Sequence, residues 1–142
     1  MNKNNMKIYF SGSIRGGREY QEFYDVIVSE LSKHGEVLSE FVADKSLTSY
    51  GSKDMNDEEI YNRDVKLLEE SDIVIADISV PSLGVGYEIA YAEKLGKKVF
   101  CLYHKTEGKK VSAMIVGNKS FTILPYESKE EITGIIKSIF NK

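Results

Sequence analysis

Short apolar runs alternate with longer segments of helical period along the whole chain. Few architectures accept that order: it is the βαβ pattern of a mostly parallel sheet covered by helices on both faces. The pattern predicts strands at Lys7–Ser11, Glu36–Glu40, Ile73–Ile78, Lys98–Tyr103 and Phe121–Leu124. Helices are expected at Arg18–Lys33, Asp57–Glu70 and Val85–Leu95, with a short one at Val111–Ile115 and an amphipathic one at Lys129–Phe140 that turns Ile132, Ile135, Ile136 and Ile139 inward. Gly35 and Gly96 stand where they close the helices before them. Between Val42 and Asp57 the chain is polar and aperiodic, a connection of the length that usually covers a site.

The expected fold class is therefore α/β, a single doubly wound, five-stranded, parallel-type sheet of flavodoxin-like or Rossmann-like kind, with residues 1–142 as one domain. Charge narrows the partners. With 19 Lys+Arg against 22 Asp+Glu the net is −3, which offers no field for a phosphodiester backbone, so nucleic acid is not an expected partner. No stretch approaches the roughly 20 apolar residues that cross a bilayer, and the N-terminus carries no hydrophobic run; a cytoplasmic protein without membrane contact is expected. Cys101, inside the run Val99-Phe100-Cys101-Leu102, reads as a small buried hydrophobe. His34 and His104 lack companions at ligand spacing, and neither a metal nor a cofactor is expected. A flavin is disfavoured because the chain has no Trp and neither candidate loop has aromatic walls.

In such sheets ligands bind beyond the carboxyl ends of the strands. The loop after the first strand reads Ser11-Gly12-Ser13-Ile14-Arg15-Gly16-Gly17-Arg18. Glycines let backbone N–H groups converge on an anion, the following helix start adds a positive dipole end, and Ser13, Arg15 and Arg18 add donors. Its spacing is neither that of a dinucleotide fingerprint nor that of a Walker loop; it suits a single phosphate, or else is a turn with solvated arginines. After the third strand, Pro81-Ser82-Leu83-Gly84-Val85-Gly86-Tyr87-Glu88 passes through two glycines into a helix whose inward stripe is Val85, Ile89, Ala92 and Leu95. Glu88 lies on or beside that stripe, although an acidic first turn also simply favours a helix. Asp64 repeats the anomaly, four residues from Ile60 and three or four from Leu67 and Leu68. A carboxylate on a core-facing stripe needs partners or a task, and two at one mouth are the equipment of glycosidic chemistry. Tyr9 alternates with Ile8 and Phe10 and projects either into that mouth or into packing. Ser112 begins a short helix as a possible N-cap.

The segments Tyr9 through Glu19, Val42-Ala43-Asp44, Asp64, Pro81 through Glu88, and Leu102 through Ser112-Ala113-Met114-Ile115 resemble the 2'-deoxynucleoside 5'-phosphate N-hydrolase family, within the nucleoside 2-deoxyribosyltransferase superfamily. The resemblance runs from about residue 7 to residue 140. It implies hydrolysis of the N-glycosidic bond of a deoxyribonucleoside 5'-monophosphate to free base and 2-deoxyribose 5-phosphate. Residue by residue, it makes Glu88 the nucleophile, Asp64 the second essential carboxylate and Tyr9 the tyrosine beside the nucleophile. Ser11, Gly12, Ser13, Ile14, Arg15, Gly16, Gly17, Ser82 and Gly84 become substrate-binding positions. Ala113 and Met114 become substrate-binding positions as well, and Ser112 matches a serine that the family donates to the phosphate across a homodimer interface. One departure stands out: Phe41 occupies a place where the family commonly has histidine, so a ring that can only stack replaces one that can hydrogen-bond, and base preference stays open. Two rival readings remain at this point, a deoxyribosyltransferase passing the sugar to a second base, and a nucleotide-binding module without catalysis.

Overall fold

The computed structural model describes residues 5–13, 20–39 and 55–141. Within them the chain runs β1 (Lys7–Ser11), α1 (Gln21–Leu31), β2 (Glu36–Val37), α2 (Asp57–Glu70), β3 (Ile73–Asp77), α3 (Leu83–Lys94), β4 (Lys98–His104), α4 (Ala113–Val116), β5 (Phe121–Tyr126) and α5 (Lys129–Phe140). All strand pairs are parallel and the order is β2-β1-β3-β4-β5. That is the flavodoxin-like order, with the topological switch at β1 and β3.

Strand alternation divides the core into two layers. Ile8, Phe10, Ile73, Ile75, Phe100 and Leu102 face one side, where Tyr24, Ile27 and Leu31 of α1 and Ile132, Ile136 and Ile139 of α5 cover them. Tyr9, Val74, Ala76, Val99 and Cys101 face the other, against Leu68 of α2 and Val85, Ile89 and Ala92 of α3. Cys101 is buried in this second layer, and burial pushes its thiol up to about 12, as expected of a packing residue. Among the described residues no helix is long and apolar enough to cross a membrane.

Several boundaries differ from the periodicity reading, each for a tertiary reason. The second strand stops at Val37 instead of Glu40: among the described residues it pairs with β1 alone, and beyond it Ser39 bonds Phe10 through its side chain. At the opposite edge β5 runs on to Tyr126 through Pro125, which an edge strand accommodates. Helix α1 ends at Leu31, and Gly35 does not cap it: a Cβ there would stand 2.4 Å from the Met6 carbonyl oxygen, so Gly35 is needed for the close approach of two backbones. Gly96 does close α3, at φ 78°. Helix α3 begins at Leu83, two residues earlier than expected, so Gly84 and Gly86 belong to the helix and not to the loop before it. The short fourth helix starts at Ala113, with Ser112 as its N-cap. The expected connection between Val42 and Asp57 falls mostly outside the described residues, and α2 starts at Asp57.

Candidate active site

Tyr9 and Ser11 end β1 on the α2–α3 side of the sheet, and α3 lays its second turn across them. The phenol of Tyr9 donates to Glu88 Oε2 at 2.6 Å, and the hydroxyl of Ser11 donates to Glu88 Oε1 at 2.6 Å. Both carboxylate oxygens are thus held by short hydrogen bonds from groups that are 1% exposed themselves. The Glu88 carboxyl is pushed up to about 7, chiefly by burial; the Ser11 and Tyr9 hydrogen bonds pull against that, the nearby Asp64 charge adds to it, and Arg63 opposes it. Burial raises Tyr9 well above the ordinary phenol range, with Glu88 and then Asp64 reinforcing it, so this tyrosine stays a donor.

Asp64 comes from the middle of α2, a helix started by a reciprocal capping box in which Asn56 accepts the Glu59 N–H and Glu59 accepts the Asn56 N–H. Its carboxyl faces Glu88 and is raised by burial, with the neighbouring Arg63 the main opposing influence. Arg63 Nε bonds Asp64 Oδ1 at 3.0 Å, and Nη1 lies 3.2 Å from Met55 Sδ. The sequence reading missed Arg63. Its one signal was adjacency to Asp64, and neighbours in a helix do not ordinarily share a face. Two carboxyls close enough to couple titrate as a pair, and here a guanidinium biases that pair toward ionisation.

The remaining candidates divide in two groups. Gly12 and Ser13 continue from β1 into the interior: a Cβ on Gly12 would stand 3.2 Å from the Phe10 and Tyr24 rings, and the fully buried Ser13 donates its N–H to the Tyr24 hydroxyl. Ile14, Arg15, Gly16, Gly17 and Arg18, and Phe41 with the segment after it, lie outside the described residues. Ser82 is the N-cap of α3, its hydroxyl accepting the Val85 N–H at 3.2 Å, so its side chain sits among the unpaired amides of a helix start. Ser112, Ala113 and Met114 are exposed, and Ser112 caps α4 through Met114 N–H. Ser82 and Ser112 border one cavity of about 610 Å³, together with Pro81, Leu83, Tyr87 and Lys110. Tyr9, Ser11, Asp64 and Glu88 are not among its walls. Ser11, expected at the substrate, here serves the carboxylate.

The nucleoside 2-deoxyribosyltransferase family model matches residues 8–121, and the chain belongs to that family. Among its relatives, the 5-hydroxymethyl-dUMP N-hydrolase of Esox lucius is 42% identical over 140 residues, covering 95% of this chain and 96% of that protein. The putative 2'-deoxynucleoside 5'-phosphate N-hydrolase 1 of Syntrophotalea carbinolica is 41% identical over 132 residues, covering 93% and 92%. In three dimensions the CMP N-glycosidase BcmB of Clostridium botulinum superposes with a TM-score of 0.65 at 20% identity, covering 94% of this chain and 98% of that one, a likeness of fold.

Proposed function

We propose that this protein hydrolyses the N-glycosidic bond of 2'-deoxyribonucleoside 5'-monophosphates, releasing the base and 2-deoxyribose 5-phosphate. The observation that carries the reading is the Glu88 carboxylate, gripped at both oxygens by Tyr9 and Ser11 and faced by Asp64. As the C1'–N bond opens, positive charge grows on C1' and the ring oxygen. An ionised Glu88 stabilises it and closes on C1' as a glycosyl ester, while the bonding electrons leave with the base. Asp64, raised by burial, supplies the proton that the departing base needs. Water then attacks C1', the ester bond breaks, and the carboxylates regain their charge and proton. Phosphate held by the glycine loop and the Ser82 end of α3 would position C1' over Glu88, binding energy remote from the broken bond spent on orientation.

The active unit in this proposal is a homodimer, with Ser112 of one protomer at the phosphate of the other. In support, Leu83 is 95% exposed and Met114 85% exposed beside Ser82 and Ser112, apolar side chains that a second copy would cover.

The test is a hydrolysis screen of the four common deoxynucleoside monophosphates, their ribo counterparts and the unphosphorylated nucleosides, with and without excess free base. Base release from monophosphates, lost in Glu88→Gln while substrate still binds, is the expected result. Exchange of bases as the main product would make the protein a deoxyribosyltransferase, and turnover confined to unphosphorylated nucleosides would remove the phosphate assignment.

A further inference from the structure

On the face of the sheet opposite Glu88, the end of β3 carries a second buried carboxylate that the reaction above does not use. Asp77 is fully buried; its Oδ1 accepts the Ser79 N–H at 2.8 Å and its Oδ2 the Tyr126 hydroxyl at 2.7 Å. Burial raises this carboxyl, and Tyr126, Ser79 and then Lys109 oppose the rise. Ser79 is consequently bonded at all three of its polar groups. Its N–H goes to Asp77, its hydroxyl accepts the His104 N–H at 2.8 Å, and its carbonyl accepts Lys109 Nζ at 2.9 Å.

Lys109 reaches this carbonyl from the connection after β4, just past Gly108, whose φ of 78° turns the backbone there. The same ammonium donates to the Tyr20 hydroxyl at 3.2 Å and stands 5.1 Å from the centre of the Tyr20 ring. Tyr20 is the N-cap position of α1; Ser79 is three residues before Ser82, the N-cap of α3. One half-buried cation therefore ties the residue before α1 to the segment that leads into Ser82, a proposed phosphate contact, and the buried Asp77 offsets its charge.

We propose that Lys109 is a positioning residue for the phosphate end of the substrate, holding the Ser79–Ser82 turn against the start of α1. This rests on the monophosphate hydrolase reading. It acts through other residues, so its signature lies mainly in KM for the phosphorylated substrate and in inhibition by phosphate, with only the small fall in kcat that looser orientation of C1' brings.

Steady-state kinetics of Lys109→Met, Lys109→Arg and Tyr20→Phe test it, with the best deoxynucleoside monophosphate as substrate and inorganic phosphate as competing anion. In Lys109→Met the KM is expected to rise about tenfold, with kcat within about threefold of wild type and inhibition by phosphate weakened in parallel. Lys109→Arg should recover most of the loss. Tyr20→Phe leaves the ammonium in place and removes one of its anchors, so a smaller KM rise in the same direction separates holding from direct contact with phosphate. An unchanged KM in Tyr20→Phe overturns the inference, whatever Lys109→Met does, and decides alone if Lys109→Met does not fold by circular dichroism. A fall in kcat at constant KM in Lys109→Met overturns it too. Wild-type protein that releases no base from any monophosphate sinks the hydrolase reading and this one with it; an active wild type with unshifted variants sinks this one alone.

Discussion

The proposed nucleophile must be ionised and bare enough to attack, and at Glu88 burial works against the first requirement while the Tyr9 and Ser11 hydroxyls work for it. With the group near 7, the need for unprotonated Glu88 gives kcat/KM a rising limb at about 7, and the need for a protonated Asp64 gives it a falling one. Arg63 favours the ionised form of both carboxyls, so Arg63→Met should move that rising limb to higher pH; a limb that stays in place in the pH–rate profile would show that Arg63 does not tune the pair. The same raised value has a stability consequence. Between the ordinary 4.5 and about 7 the folded state holds the Glu88 proton more tightly than the unfolded state. Stability from this group is therefore lost progressively as pH rises across that window, on the order of 3 kcal/mol in total. Urea midpoints of wild type should fall between those pH values more steeply than those of Glu88→Gln, and parallel slopes would contradict the assignment.

Elements deliver these residues by ordinary means. Helix α2 carries Asp64 two turns beyond an Asn56–Glu59 capping box, and α3 carries Glu88 from a Ser82 cap. Asn56→Ala removes one half of the box and should cost about 1 kcal/mol in urea denaturation, with KM for substrate little changed because Asn56 touches neither carboxylate. The helix and strand periods made most elements legible: α2 and α5 have their expected bounds, and β1 also matches. Ends set by neighbours were not legible. Nothing local to Leu38 says where its strand leaves the sheet, and the closing role expected of Gly35 yielded to the closeness of Met6, 29 positions away in the chain.

At the scale of the whole molecule, Ser82 and Ser112 of one chain border the same cavity, while the proposed dimer places Ser112 at the neighbouring site. Mixing separately inactive Ser112→Ala and Glu88→Gln proteins decides between them. Donation across the interface predicts recovered activity, since a mixed dimer has one site with an intact Glu88 and a partner serine; failure to recover, in a sample shown by native mass spectrometry to contain mixed dimers, places the serine in its own site.

By itself the sequence determined the layering of the sheet, since periods of two and of about 3.6 residues are written into local order. It also marked Glu88 and Asp64 as candidates, because a polar group on a core-facing stripe is anomalous wherever it occurs, while Tyr9 stayed open between the mouth and packing until the family resemblance named it. Only the tertiary structure decided what those anomalies do to one another. Ser11 and Glu88 are 77 positions apart and Ser79 and Lys109 are 30 apart, yet each pair meets at hydrogen-bond distance. Hydrogen bonds and desolvation act over a few ångströms of space, and the distances in space are set when parallel strands bring the carboxyl ends of β1, β3 and β4 to one edge.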